Sequence, residues 1–132
     1  HVKNPARAVS EFYRVIKPGG HCLVTVPQLN ELHEEPQDYF RFTKYGLEEM
    51  FKNVGFEIIL IDKRGGFWSA NMQIQIRYVI DLFRLNKIRI LRWIFGPFIL
   101  LNGILAILFD FFDRSRASRK HAIGWLIIAQ KP

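Results

Sequence analysis

The feature of this 132-residue sequence that most limits its fold is a short apolar segment directly after a glycine turn. Residues 21–26 read His-Cys-Leu-Val-Thr-Val, and they lie between Gly19-Gly20 and Pro27. A strand that is apolar on both sides is typical of a sheet covered on both faces. Helical patterns precede and follow this strand. The alternation of helices and strands therefore predicts an α/β fold.

Capping residues locate two of the helices. Asn4 and Pro5 are typical of an N-cap and a first helical position, and this helix ends at the glycine turn. Thr43 can cap a second helix in the same way. Apolar segments at residues 56–61 and 122–130 then predict two further strands, so that the sheet has three strands in all.

The positive charge of the chain is concentrated in one segment. The sequence has 19 Lys and Arg residues against 12 Asp and Glu residues, a formal net charge of +7. Residues 77–120 carry nine of the basic and three of the acidic residues, so the rest of the chain is almost balanced. The basic character must therefore be explained by the function of this segment.

The same segment contains the longest apolar run of the sequence. Residues 93–109 carry no charged side chain, and Gly96-Pro97 predicts a break near their start. Before this run, apolar residues at helical spacing over 72–90 predict a basic amphipathic helix.

These patterns suggest how the chain is organised. A turn is predicted at residues 62–66, and a helical insertion at 67–120 follows it. The sheet and its helices are assigned to residues 1–66 and 121–132. Three strands make a small sheet, and buried strands need neighbouring strands on both sides. We therefore expect the chain to be part of a larger domain.

Three motifs outside the insertion carry a family resemblance. Residues 14–20 read Arg-Val-Ile-Lys-Pro-Gly-Gly, residues 38–43 read Asp-Tyr-Phe-Arg-Phe-Thr, and the sequence opens with His1-Val2. Together they resemble the C-terminal half of a class I S-adenosylmethionine (SAM)-dependent methyltransferase, of the methyltransferase type 11-like kind. The last predicted strand fits the last strand of that family.

The resemblance implies a partial Rossmann-like methyltransferase sheet with a helical insertion before the last strand, and SAM as the cofactor. The sequence lacks the family's glycine-rich loop, in which only glycine lets the backbone approach the cofactor closely. It also lacks the acidic residue that holds the ribose hydroxyls. We therefore expect the C-terminal part of one methyltransferase domain, which by itself binds SAM poorly.

Candidate site residues lie in a long loop at residues 27–42. In open α/β sheets ligands bind at the carboxyl ends of the strands, and this loop follows the first strand. His33 is a candidate general base toward an acceptor hydroxyl, because histidine titrates near neutrality. The candidates for substrate binding are Asp38, Tyr39, Arg41 and Phe42.

Each of these candidates also has a structural interpretation. Asp38 can pair with Arg41, while the two aromatic residues can pack the loop onto the next helix. His33 can be an ordinary surface histidine. The resemblance places His1 near the cofactor, and the alternative is a chain-end residue without a fixed position.

Other kinds of site are not indicated by the sequence. The four histidines lie far apart in the sequence, so we predict no metal site. The single cysteine, Cys22, opens an apolar strand and is predicted to be a small core residue. Methyl transfer needs no enzymatic nucleophile, because SAM is already activated and positioning supplies most of the acceleration.

Three interpretations of the insertion stay open. An apolar run between basic clusters suits contact with an anionic membrane surface through residues 77–120. A run of 17 uncharged residues is at the short end of the ~17–25 residues that span a bilayer. The insertion can instead be a lid that packs on the sheet or on a second subunit. Nucleic-acid binding is not indicated, because the basic residues alternate with apolar ones.

The resemblance therefore implies part of a SAM-dependent methyltransferase that acts on a small-molecule, sugar or lipid-linked acceptor. The alternative is a non-catalytic membrane-surface or binding module on the same scaffold. With one cysteine and no disulfide framework, we expect a cytoplasmic protein. It would lie peripherally on the inner face of the membrane where the insertion contacts lipid.

Overall fold

The computed structural model describes residues 1–85 and 87–132 and divides them into two compact units. The first, called here the sheet unit, comprises His1–Arg64 and Gly124–Pro132. The second, the hairpin unit, comprises Gly65–Ile123. The insertion predicted from the sequence has its limits at residues 67 and 120.

The sheet unit contains two helices and three strands. In chain order they are α1 (Pro5–Val15), β1 (His21–Pro27), α2 (Lys44–Lys52), β2 (Glu57–Arg64) and β3 (Gly124–Gln130). The predicted caps are confirmed, because the Asn4 side chain accepts a hydrogen bond from the Arg7 backbone and Thr43 accepts one from Gly46. The turn predicted at 62–66 is wrong for residues 62–64, which continue β2.

The strand order is β1-β3-β2, and β3 is antiparallel to both of its neighbours. Strands β1 and β2 are therefore parallel to each other, with α2 in the connection between them and β3 filling the gap. Gly124 pairs with Pro27 on one side and with Arg64 on the other. Added at Gly124, a Cβ atom would collide with the Val26 carbonyl, so glycine is required where β3 begins between the ends of β1 and β2.

The helices of the sheet unit lie on one face of this sheet. Helix α2 packs against β2 and β3, and α1 packs against α2. The core includes Phe51 and Ile127, both 0% exposed. Cys22 is buried as predicted, and burial raises the pKa of its thiol.

Two fold expectations need correction. The sheet is small and antiparallel in its pairing, so it is not a clear Rossmann sheet. The expectation that the strands are covered on both faces is also wrong, because Leu23 is 66% exposed and Ile59 is 52% exposed. The pairing is antiparallel because β3 runs opposite to both of its neighbours. The other face is exposed because the helices of this unit pack on one face only.

Lys131 fastens the end of the chain to α1. Its ammonium group donates hydrogen bonds to the carbonyls of Tyr13 (2.8 Å) and Ile16 (2.9 Å), which lie at the carboxyl end of the helix. It also lies 4.6 Å from the centre of the Tyr13 ring. A cation at this position is favourable, because the last carbonyls of a helix lack partners within it.

The hairpin unit is helical. It contains α3 (Phe67–Leu82), α4 (Arg89–Phe112) and a 3₁₀ turn at Ser118–Lys120. The single amphipathic helix predicted over 72–90 is wrong, since α3 ends at Leu82 and Arg84 adopts a positive φ of 49° in the connection. The break predicted at Gly96-Pro97 is also wrong, because α4 continues through Pro97. A proline removes one backbone donor, and the remaining hydrogen bonds of this long helix are enough to continue it.

Candidate functional site

The loop at residues 28–43 returns to the carboxyl end of β1. Its closure is a hydrogen bond of 2.9 Å from the Phe42 backbone N–H to the Pro27 carbonyl, the last residue of the strand. The loop contains no helix or strand, so side-chain hydrogen bonds have to hold it in place. Most of them converge on Asp38 and Arg41.

Asp38 and Arg41 form a bidentate ion pair. The two terminal nitrogens of Arg41 lie 2.6 and 2.7 Å from the two oxygens of Asp38, whose side chain is 3% exposed. The hydrogen bond from Arg41 holds the pKa of Asp38 well below its usual range, against the opposite effect of burial. In turn, the Asp38 carboxylate raises the pKa of Arg41. The pair that the sequence analysis offered as a structural interpretation is therefore present.

Arg41 also binds the backbone of the loop. It donates hydrogen bonds to the carbonyls of Glu31 (2.7 Å), Phe40 (3.0 Å) and Asn30 (3.3 Å). A guanidinium group has five N–H donors, and with the two bonds to Asp38 all five donors of Arg41 are engaged. In this structure, Arg41 holds the two ends of the loop together.

His33 is held by the same network. Its backbone N–H donates to an Asp38 oxygen at 3.1 Å, and its ring Nδ1 lies 2.9 Å from the Glu31 carbonyl. A carbonyl can only accept, so Nδ1 must carry the proton. The Nε2 atom is then unprotonated in the neutral ring and can accept a proton from a ligand.

His1 lies against His33, although 31 residues separate them. The two rings meet edge to face with their centres 4.9 Å apart. The His1 Nδ1 atom lies 2.9 Å from the Gln37 carbonyl, so the loop contacts the start of the chain directly. These two histidines are far apart in the sequence, and the closure of the loop brings them together in the fold.

One atom each from His1, His33 and Asp38 lies within 4.8 Å of the others, a spacing at which a metal ion could be held. The Arg41 guanidinium already occupies both oxygens of Asp38 and lies 3.5 Å from the His33 Nδ1 atom. A cation placed there would be repelled by a fixed positive charge. We therefore propose no metal site.

An apolar groove of about 260 Å³ lies beside this cluster. Its wall includes His1, Phe40 and Phe42 on the loop side. Helices α1 and α2 and the last residues of β1 contribute the rest, among them Val9, Phe12, Val24, Val26, Leu47 and Phe51. A concave apolar surface with a few polar groups at its edge is the usual form of a small-molecule site.

Of the candidate residues, His1 and Phe42 line the groove, while His33, Asp38 and Arg41 form the network next to it. Tyr39 is 38% exposed and does not line the groove, and the Lys3 ammonium lies 5.9 Å from its ring centre. The contribution of α1 to the groove was not predicted from the sequence. The apolar stripe of that helix was visible, but a stripe does not show that part of it lines a groove.

The lining of the groove is a poor fit to the whole SAM molecule. The amino acid and ribose parts of SAM are polar and need hydrogen-bonding partners, but the polar side chains in the lining are those of His1 and Thr25. No carboxylate and no glycine-rich turn belong to it. The groove therefore fits an apolar acceptor better than it fits the whole cofactor.

Comparison with known proteins supports the fold. No protein-family model matches the sequence, and no curated protein matches it. Among solved structures, the chain is similar to the [4+2]-cyclase SpnF, with a TM-score of 0.52 and 22% sequence identity. The match covers 99% of this chain and 45% of the SpnF chain, so this chain spans less than half the length of that enzyme. The likeness supports a class I methyltransferase-like fold.

Proposed function

We propose that this chain forms the acceptor side of a SAM-dependent enzyme that transfers a methyl group to a small-molecule, sugar or lipid-linked acceptor. The observation that carries the proposal is the cluster at the carboxyl end of β1. It brings His1 and His33 into contact beside an apolar groove, in a fold of the methyltransferase-like kind.

His33 is the proposed general base. The hydrogen bond from Nδ1 to the Glu31 carbonyl directs the ring, and Nε2 is the atom that would take a proton from an acceptor hydroxyl. Removal of this proton makes the oxygen a better nucleophile toward an activated methyl group. A base of this kind contributes roughly 10²–10⁴-fold to a rate.

Asp38 and Arg41 are proposed to be positioning residues. Their ion pair holds the backbone on which His33 and Phe42 are mounted, and Arg41 has its donors engaged within the loop. Phe42 forms part of the apolar wall for the acceptor. The cofactor supplies the activated methyl group, and His1 is the residue of this chain that we propose contacts it.

The test is a titration of ¹⁵N-labelled protein with S-adenosylhomocysteine, followed by backbone and imidazole NMR spectra. We expect saturable shifts at His1, Val2 and His33, with a Kd of about 1 mM because the groove offers few polar partners. ATP is the control ligand, since an anionic nucleotide tests for charge-driven binding to a basic chain. The absence of shifts at these residues, or equal shifts with ATP, would contradict the proposal.

A non-catalytic binding module on the same scaffold is the second candidate function. It is favoured by the apolar lining of the groove, which includes few groups that could hold SAM. A module of this kind would leave His1 and His33 unperturbed by S-adenosylhomocysteine. The same titration therefore separates the two candidates.

A further inference from the structure

Helix α4 exposes an unusually large apolar surface. It is 24 residues long, and only 6% of its most apolar 18-residue stretch is buried. Large side chains point outward over its whole length, including Trp93 (73% exposed), Phe98 (65%), Ile107 (65%) and Phe112 (75%). A soluble protein rarely leaves a continuous apolar surface of this size in water, so we expect it to be covered.

The side of α4 that faces α3 is different. Along α4, Ala106 is buried, and Gly103 and Ala106 line a groove between the two helices together with Met72 and Ile76 of α3. Small residues let helices approach closely, so the narrow side of α4 packs against α3. The most exposed large residues, among them Trp93, Phe98 and Phe112, are left on the outer side.

The two helices are antiparallel and joined at both ends. At one end, the Asp110 carboxylate accepts hydrogen bonds of 2.8–3.0 Å from the backbone N–H groups of Gly66, Trp68 and Ser69, which begin α3. At the other end, the rings of Phe83 and Phe95 stack with their centres 5.7 Å apart. The hairpin is therefore a preformed element that presents the outer side of α4.

Basic residues flank the apolar surface on both sides. Arg84, Lys87, Arg89 and Arg92 lie at or before the first turn of α4, and Arg114, Arg116, Arg119 and Lys120 follow its last turn. All eight are exposed. An apolar helix with cations at each end is complementary to a lipid surface with anionic headgroups.

We propose that the hairpin unit binds an anionic membrane surface, with α4 lying in the plane of the interface. Two observations favour this orientation over a helix that crosses the membrane. The uncharged stretch of 17 residues measures about 25 Å, less than the roughly 30 Å of a bilayer core. Helix α3 lies along α4 and carries exposed Arg77 and Asp81, which a crossing hairpin would place in hydrocarbon.

The experiment is co-sedimentation of the purified protein with vesicles. Vesicles of phosphatidylcholine alone are compared with vesicles that contain about one quarter phosphatidylglycerol, an anionic lipid. We expect binding to the anionic vesicles at low salt, and a large loss of binding at about 1 M salt, where the Debye length is only about 3 Å. Protein that stays in the supernatant with anionic vesicles at low salt would overturn the proposal.

Variants assign the binding to the hairpin unit. The double variant Leu100→Ser/Ile107→Ser and the double variant Arg114→Glu/Arg116→Glu should each lower the partition coefficient about tenfold or more. Their matched controls lie in the sheet unit at exposed positions: Leu23→Ser/Tyr45→Ser, and the charge reversal Arg7→Glu/Lys17→Glu. Equal losses in the controls and the hairpin variants would overturn the assignment.

Two further readouts distinguish other occupants of the surface. Alkaline carbonate should release the bound protein, whereas retention would show a helix that crosses the bilayer and contradict the in-plane orientation. Sedimentation velocity without vesicles should give the same mass for wild type and for Leu100→Ser/Ile107→Ser. A dimer that this variant dissociates would show that a second copy covers α4, and would overturn the proposal. No step of this experiment involves S-adenosylhomocysteine, so its failure leaves the proposed function standing.

Discussion

At Asp38 a single carboxylate organises a loop that has no regular secondary structure. Its two oxygens accept hydrogen bonds from both terminal nitrogens of Arg41 and from the backbone N–H of His33. The Asp38 side chain is 3% exposed. The consequence for His33 is indirect, since its ring is directed by the Glu31 carbonyl that Arg41 also binds. One ion pair therefore fixes the backbone and the orientation of the proposed base.

The first prediction concerns the tautomer of His33. Because Nδ1 donates to the Glu31 carbonyl, the neutral ring should carry its proton on Nδ1 and leave Nε2 unprotonated. Long-range ¹H–¹⁵N spectra of the imidazole distinguish the two tautomers directly. A neutral ring protonated on Nε2 would contradict the proposed role, since that ring could not accept a proton at Nε2.

The second prediction concerns the pH dependence of stability. The pKa of Asp38 is lowered in the folded protein, so the stability it contributes is present above its unfolded pKa of about 3.9. That contribution is lost as the pH falls through the lower, folded value. In urea unfolding, Asp38→Asn should lower the midpoint at neutral pH and flatten its decline below about pH 5.

The control for this experiment is Glu57→Gln, which changes an exposed carboxylate at the start of β2. It should leave both the midpoint and the slope close to wild type. If Asp38→Asn and Glu57→Gln have the same effect, the ion pair does not hold the loop.

At the scale of the elements, Asp110 of α4 is hydrogen-bonded to the start of α3, where Gly66 lies 44 positions earlier in the sequence. Burial by itself raises the pKa of this carboxyl, but the hydrogen bonds from Ser69 and from the backbone of Gly66 and Trp68 outweigh it, so that the pKa is lowered. A Cβ atom at Gly66 would lie 2.8 Å from the Asp110 Cγ atom and would force this carboxylate to shift. A carboxylate at the start of α3 also interacts favourably with the helix dipole.

The third prediction is that Asp110→Ala destabilises the hairpin. Loss of an N-capping side chain typically costs about 0.5–2 kcal/mol, and here the same group also links α3 to α4. Amide exchange should therefore become faster at Trp68 and Ser69 in the variant. Asp81→Ala, at an exposed position near the end of α3, is the control and should leave these amides protected. Unchanged protection in Asp110→Ala would contradict the role of the cap.

The elements were predictable to different degrees, for physical reasons. The starts of α1 and α2 follow from local capping by Asn4 and Thr43, and both are confirmed. The end of α3 was missed because the helical spacing of apolar residues continues across the connection. Arg84 adopts a left-handed backbone conformation there, which an arginine does not signal in a sequence as a glycine would. The continuation of α4 through Pro97 was missed because the prediction weighed the one hydrogen bond that proline removes, and not the many that the rest of the helix keeps.

The candidate site was less accessible to sequence reasoning than the helices were. The motif at residues 38–43 indicated the pair of Asp38 and Arg41, because ionic partners at that spacing are local. The contact of His1 with His33 depends on the closure of a long loop, and no periodic pattern reports such a contact. The antiparallel direction of β3 likewise depends on pairing between distant segments, which the composition of the strand does not reveal.

At the scale of the whole molecule, the two compact units differ in what they expose. The sheet unit has a buried core, an apolar groove and a polar cluster at the end of β1. The hairpin unit exposes large apolar side chains between two groups of cations. We therefore propose that ligand binding belongs to the sheet unit and membrane binding to the hairpin unit, on two separate surfaces.

The measurement that tests this claim most directly is hydrogen exchange by mass spectrometry, performed after two separate additions to the purified protein. Addition of S-adenosylhomocysteine should slow exchange at the start of the chain and in the loop at residues 28–43, and leave α4 unchanged. Addition of anionic vesicles should slow exchange in α4 and leave the loop unchanged. Protection of the loop by the vesicles, or protection of α4 by S-adenosylhomocysteine, would contradict the claim that the two surfaces are separate.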